Sequence, residues 1–524
     1  MLEKAALTVL FLITFCLSTA VSEDQEFWRN KGISEINDAL NIKHNTNVAK
    51  NVIVFIGDGM SLSTTTSSRI YSKGEAGFLT WEKFDNVGLL KTYSNDKYVP
   101  DSSCTATALF CGMKTNFKTT GVDASVQLND CEASLIPEKR TSSIFSWAME
   151  SGRSTGFVTT TTVTHATPSA LYVHTANRNW ECEANIPANS KQCKDIARQL
   201  VEDLPGRNIK VIMGGGRQML QSNSSEKPND PLDRGACIRS DGRDLIEVWK
   251  KDKEDRKVPY AVVSNNAELN GMDESSEYLL GIFANGHLQK EFEKDEGPQG
   301  MPSLKTMTEK AIKTLQKNKD GFILMVEGGL IDKAHHSGNA RQALDETRAF
   351  DDAVESALSL VDTKDTLIIV TSDHSHGMTF VGHLDRNQSI FGSVSTNIGN
   401  KTPYTSLLYV LGGDKNFQYE AKNGSVVRRD PTQDQTDAFE YSQQAGFHDD
   451  EGKHSGEDVL VYATGPMAHL VHSVREQTFV AYLISYAAKI GPAKDIKSDA
   501  ASRYSACCMF LVLPVLFLLN TCLK

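Results

Sequence analysis

The strongest constraint on this chain is a recurring pattern of short, unbroken apolar runs, many rich in Val and Ile, several of them ending in acids or histidines. The runs span residues 52–56, 156–158, 209–213, 322–326, 367–370, 407–411 and 459–462. Runs of this length without polar alternation suit strands buried on both faces. Between them lie amphipathic stretches at 142–150, 195–203, 304–315, 340–360 and 476–488. Strands alternating with helices predict an α/β fold: a large, mostly parallel central sheet with helices on both faces. From about 378 to 444 this rhythm gives way to polar, Gly/Asn-rich sequence, which reads as an inserted surface subdomain, a crown on the main body.

The ends of the chain set the expected compartment. Residues 1–22 carry Lys4, an apolar stretch over 5–17 and the small residues Ser18, Ala20 and Ser22, the pattern of a cleaved signal peptide. At the far end an apolar run over 507–519 follows the small residues 498–502 and a short polar spacer. That arrangement predicts a glycosylphosphatidylinositol (GPI) attachment signal, with Asp499 as the attachment site and 500–524 removed. A single spanning helix is the alternative. The body, 23–499, is then one catalytic domain.

Export agrees with the cysteines: of ten, six fall in the body (Cys104, Cys111, Cys131, Cys182, Cys193 and Cys237). Six thiols permit fifteen pairings, and sequence alone does not choose among them. Acceptor sequons for N-glycosylation stand at Asn223, Asn387, Asn400 and Asn423. The net charge of −11 argues against a nucleic-acid partner.

The run ends carry the chemistry. The first leads into Gly57-Asp58-Gly59, and 322–326 leads into Glu327, followed by Asp332, His335 and His336. The run 367–370 leads into Asp373-His374-Ser375-His376, and His454 precedes the last run. In open α/β sheets, ligands bind outside the carboxyl ends of the strands. Carboxylate oxygen and imidazole nitrogen are ligands for divalent ions, and no thiolate lies in these clusters. Together they point to a multi-metal hydrolytic site. Ser102, in Pro100-Asp101-Ser102 before an Ala-rich helix start, is the nucleophile candidate, because a helix N-terminus favours an anion such as phosphate. Taken alone, it reads more readily as an ordinary capping serine.

These fragments together resemble the alkaline phosphatase family, of the animal, lipid-anchored kind. The resemblance covers nearly all of residues 23–501. It is carried by Phe55-Ile56-Gly57-Asp58-Gly59-Met60, Pro100-Asp101-Ser102, residues 159–180, 326–336, 371–376 and 454–458. It implies hydrolysis of phosphate monoesters at the outer cell surface through a phosphoserine on Ser102, with Arg178 clamping the phosphoryl oxygens. It further implies two Zn²⁺ and one Mg²⁺ per subunit. Asp332, His336 and His454 would hold one zinc, Asp58, Asp373 and His374 the other, and Asp58, Thr167 and Glu327 the magnesium. Asp101, His165, Lys333 and His376 would stand just behind these ligands.

A homodimer with residues 25–40 as an arm on the partner is implied too, as is a Cys131–Cys193 disulfide. Cys182–Cys237 is a speculative second pair. The chain departs from the vertebrate pattern at Lys333, where those members carry a histidine and the bacterial enzyme a lysine, while His165 follows the animal pattern. It departs again at His383, where a tyrosine is usual, and at Ala284 and Met301, where a calcium site needs carboxylates. A phosphodiesterase or sulfatase of the same superfamily, or an anchored receptor with an inactive phosphatase fold, are the competing readings.

Overall fold

The computed structural model describes residues 23–395 and 402–497; the signal and tail segments, Asp499 and Asn400 lie outside them. The chain separates into two compact units, Met1–His44 and Asn45–Lys524. In the first, the helix Gln25–Asn41 starts at Asp24, whose carboxylate accepts the Phe27 N–H at 2.9 Å. A capping acid of this kind satisfies an otherwise unpaired amide and complements the helix dipole.

The second unit is built on a ten-stranded sheet. In chain order its strands are β1 (Asn51–Gly57), β2 (Asn86–Lys91), β3 (Ser154–Thr162), β4 (Val211–Gly215), β5 (Tyr260–Val263) and β6 (Tyr278–Ile282). They continue as β7 (Phe322–Gly328), β8 (Thr366–Thr371), β9 (Val459–Thr464) and β10 (Val474–Glu476). The spatial order is β10-β2-β9-β8-β1-β7-β3-β4-β6-β5. Strand β9 runs antiparallel to both its neighbours, and every other pairing is parallel.

Burial on both faces explains the unbroken apolar runs. Val52, Val54 and Ile56 of β1 join one core with Ile323, Met325, Leu367 and Ile369. Ile53 and Phe55 point the other way, into a second core with Leu324, Val326, Ile368 and Val370. The helices Ile144–Glu150, Ile196–Glu202, Leu245–Asp255 and Phe479–Ala488 cover the first face. Leu304–Leu315 and Ala340–Leu360 cover the second. Each fully buried Val, Leu or Ile contributes about 1.5–3 kcal/mol. The central strands therefore hold their carboxyl ends firmly level, with Gly57 opposite Gly328 and Ile56 opposite Thr371.

One apolar run behaves differently. Residues 407–411 belong to strand Leu407–Gly412 of a separate three-stranded sheet, between Met378–Phe380 and Ala445–His448. Leu407 and Tyr409 are buried there against Ala340 and Leu344 of the long helix, whereas Val410 is exposed. An apolar residue on the open face hid the period-two burial of a one-sided strand. Conversely, β3 continues through Thr159–Thr162, four buried threonines that no apolar pattern includes. Strands β2, β5, β6 and β10 also lie outside the recognised runs; β6 is interrupted by Gly281, and β10 is the edge sequence Val474-Arg475-Glu476. Asn223, Asn387 and Asn423 are exposed.

Two disulfides form, Cys131–Cys193 and Cys182–Cys237, with Cα separations of 6.0 and 5.9 Å. Cys104 and Cys111 remain free and buried in the helix Ser102–Cys111, where burial pushes both thiols up, Cys111 to about 12. A secreted form spanning Glu23–Lys497 should therefore show no thiol reactive toward a water-soluble disulfide reagent while folded. Unfolded without reductant, it should show two. Four or six would mean that one or both bridges are not formed.

Candidate active site

The level strand ends bring the acids together. Asp58 follows β1, Glu327 is the penultimate residue of β7, and Asp373 lies two residues beyond β8. The register sets Thr159 of β3 directly beside Glu327. Glu327 accepts hydrogen bonds from the hydroxyls of Thr159 and Thr161, the latter at 3.2 Å. Gly59, with φ +66°, lets the turn after β1 pass close to the next layer of the site. A Cβ there would lie 3.2 Å from both Asp332 Oδ1 and His376 Cδ2. Its amide donates to Asp373 Oδ1 at 3.1 Å.

The donors fall into three groups, each with its ligand atoms within 4.8 Å of one another. These are Asp332, His336, His376 and His454; Asp58, Asp373 and His374; and Asp58, His165 and Glu327. Thr167 follows His165 by two residues, and its hydroxyl is buried without a hydrogen-bond partner, as are Asp58 Oδ1 and Oδ2, Glu327 Oε1 and Asp332 Oδ1. Orphaned oxygens at this density are costly unless a cation satisfies them.

The histidines carry the same signature. His336 Nδ1 donates to Gly452 O at 2.7 Å and His454 Nδ1 to Pro100 O at 2.9 Å. Their Nε2 atoms lie 3.1 Å apart and within 3.3 Å of Asp332, so that with the proton on Nδ1 both would turn a lone pair toward a bound cation. His335, next in sequence, turns away to Thr64 Oγ1 at 2.9 Å and Tyr409 Oη at 2.8 Å. The residues present therefore fit divalent ions, and the oxygen-only faces of Glu327 and Thr167 suit a hard one.

The electrostatics follow from burial. Loss of solvent, reinforced by Asp373, Asp332 and Glu327, pushes Asp58 well up. Burial lifts Glu327 to about 7 and Asp373 to about 6. Asp332 is also buried, yet His336, His376 and His454 hold it well below the usual carboxylate range.

Ser102 is the first residue of the helix Ser102–Cys111, and Asp101, not the serine, is its cap. The Ser102 hydroxyl lies 3.2 Å from His374 Nε2. Asp101 accepts from Ser103 Oγ at 2.6 Å, from the Lys118 amide at 2.8 Å and from Arg178 Nη1 at 3.0 Å. Burial opposes its charge, but Arg178, Ser103 and Lys118 prevail and hold the carboxyl at about 2. Arg178 Nη2 meets His165 Nε2 at 3.2 Å, and burial, together with Lys333 and Arg178, keeps that imidazole neutral.

Ser102, Arg178, His165, Lys333, His336 and His454 line one cavity of about 800 Å³. Its wall also includes His287 and Glu181, which the sequence reading does not single out, and Cys237. His287 follows β6, a strand absent from the recognised runs, so no run end drew attention to it. Asp373 and His374 sit deeper, and His383 is exposed. Ala284 and Met301 pack into the second core.

A family model described as alkaline phosphatase matches residues 49–490. The chain is 42% identical to the tissue-nonspecific alkaline phosphatase of Gallus gallus, over 98% of this chain and all of that protein. It is 38% identical to a membrane-bound alkaline phosphatase of Bombyx mori, over 94% of this chain and 91% of that one. Among solved structures, the alkaline phosphatase of the Antarctic bacterium TAB5 matches 85% of the chain and all of its own, with 25% identity and a TM-score of 0.58. That of Thermus thermophilus matches in fold over 88% of the chain and 96% of its own, with 24% identity and a TM-score of 0.61. A family model spanning most of the chain, and animal relatives this similar along nearly its whole length, show that this protein belongs to the alkaline phosphatases, metal-dependent enzymes that hydrolyse phosphate monoesters.

Proposed function

We propose that the reaction proceeds through a phosphoserine on Ser102, with broad tolerance for the alcohol half of the monoester. The observation that carries this reading is the Ser102 hydroxyl at the first turn of a helix, 3.2 Å from His374 Nε2, in the same cavity as Arg178. Each terminal nitrogen of Arg178 uses one hydrogen on Asp101 or His165 and keeps another for a phosphoryl oxygen. Unpaired amides at the helix start add to the pull on the phosphate. Ser102 Oγ, giving up its proton, attacks phosphorus in line as the P–O bond to the alcohol breaks and the alcohol leaves protonated. Water then attacks the phosphoserine in line, breaking the P–Oγ bond and releasing inorganic phosphate and a reprotonated Ser102. Two inversions retain configuration at phosphorus.

Asp332, His336 and His454 would hold one zinc ion, and Asp58, Asp373 and His374 a second. Asp58, Thr167 and Glu327 would hold magnesium, with His376 beside Asp332 and Lys333 at the cavity wall. Bound ions of this kind lower the pKa of a hydroxyl or water and offset charge developing on the reacting oxygens. We place the enzyme at the outer cell surface, as a glycosylated homodimer anchored through a GPI lipid on Asp499. No helix among the described residues is long and apolar enough to cross a membrane.

Ser102→Ala should lower kcat for an aryl phosphate by about 10³-fold or more without loss of fold; retention of more than a tenth of the rate would remove the phosphoserine. The same assay with a phosphate diester should give far lower turnover.

Because Glu327 and Asp373 hold protons up to about 7 and 6 in the metal-free site, ion uptake must displace protons below those values. After chelation abolishes activity, zinc and magnesium should reload more weakly at pH 6 than at pH 8, with proton release measurable by calorimetry in two buffers. Equal affinity at both would contradict this account of the carboxylates. Phosphatidylinositol-specific phospholipase should release activity from intact cells; retention of activity on the cells would mean a spanning helix.

A further inference from the structure

The Cys182–Cys237 disulfide joins two irregular stretches of chain that both reach the phosphate cavity. The first runs from Arg178 to Cys182, and the second supplies Asp233, Ala236 and Cys237 to the cavity wall. The first stretch is irregular and is tied down by scattered hydrogen bonds and by the buried Trp180. The Arg178 amide donates to Lys118 O at 2.9 Å, and Ile196 N–H donates to Trp180 O at 2.8 Å. The Glu181 carboxylate accepts from the Thr162 and Thr164 hydroxyls at 2.9 and 2.7 Å.

The second stretch is fixed by the buried Gln218. Its Nε2 donates to Asp233 O at 2.9 Å and to Cys237 O at 3.0 Å, and its Oε1 accepts from Asp233 N–H at 2.8 Å. Gln218 belongs to the helix Arg217–Leu220, just beyond the carboxyl end of β4, so this stretch inherits the rigidity of the sheet. The disulfide passes that rigidity on: Cys182 and Cys237 are 0% and 1% exposed and pack on Met219. Glu183 reinforces the junction by accepting from Ser240 N–H at 2.7 Å and lying 3.3 Å from Arg239 Nη1.

We propose that Cys182–Cys237 is a positioning clamp for Arg178, tightening phosphate binding without taking part in bond cleavage. A guanidinium fork recognises phosphate well only when it is already oriented. With Cys182 fixed to the sheet, the short span back to Arg178 has little room to drift. A bridge that served stability alone would change the fraction folded and leave the phosphate affinity of the folded enzyme untouched.

The inference rests on the reading of Arg178 as a phosphate ligand, and one experiment separates the two. The Cys182→Ala/Cys237→Ala variant and an Arg178→Ala variant are loaded with zinc and magnesium and assayed at a temperature where circular dichroism shows both folded. The inhibition constant of inorganic phosphate and the KM and kcat for an aryl phosphate are measured. The cysteine variant should raise the inhibition constant and KM about five- to tenfold while kcat stays within about threefold. Arg178→Ala should raise the inhibition constant further.

An unchanged inhibition constant in the cysteine variant, beside a raised one in Arg178→Ala, overturns the clamp alone. An unchanged constant in Arg178→Ala overturns the phosphate reading and the clamp with it. Should the cysteine variant not accumulate, Glu183→Gln loosens the same junction with the bridge intact. It should raise the inhibition constant about threefold, and no change there overturns the clamp.

Discussion

Four carboxylates set the terms for everything around them. Asp58, Glu327, Asp332 and Asp373 are all essentially withdrawn from solvent at the end of one sheet. In water each would be well hydrated; here each has lost that hydration, and mutual repulsion adds to the cost. The protein answers in two ways. Around Asp332 it places His336, His376 and His454, which hold that acid ionised. Asp58 and Glu327 keep buried oxygens without hydrogen-bond partners, an arrangement that suits a divalent cation. The two apolar cores make such crowding sustainable. Strand ends held level by buried Val, Ile and Leu cannot splay apart to relieve the repulsion, so its relief falls to ligand binding.

This division of labour explains what could be read from the sequence. Runs such as 52–56, 322–326 and 367–370 are apolar throughout because both faces of β1, β7 and β8 are buried. The acids stand out because they interrupt those runs where the strands end. Reading failed where the same physics took another form. Thr159–Thr162 are buried at the end of β3, yet they look like surface residues, because their task is partly to hydrogen-bond Glu327. The 407–411 run looks buried on both sides but has an open face. His335 and His336 are indistinguishable in sequence, and only the helical turn between them sends one to the metal-ligand cluster and the other to Thr64 and Tyr409. Long-range pairings leave no local pattern, so Cys182–Cys237 stands in the sequence only as a speculative pair, which the fold then brings together.

The arginine poses the complementary problem of holding a cation next to ion sites without letting it collapse onto the wrong acid. Asp101 solves it by accepting Arg178 Nη1 while its remaining lone pairs are engaged by Ser103 and the Lys118 amide. Asp101 is buried and Arg178 largely so, and their charges are matched within the cavity wall, so in the proposed reading a phosphate dianion would meet an arginine already held in orientation. Because Asp101 also caps the helix that begins at Ser102, the same carboxylate orients the proposed nucleophile and the proposed clamp. Loss of this one side chain would uncouple the two in space before it removed either. The Cys182 bridge acts on the same arginine from the other side, through four residues of chain. In the proposed reading Asp101 fixes the guanidinium and the bridge fixes the backbone, and phosphate affinity would depend on both, because rotation at either end would swing the fork out of line.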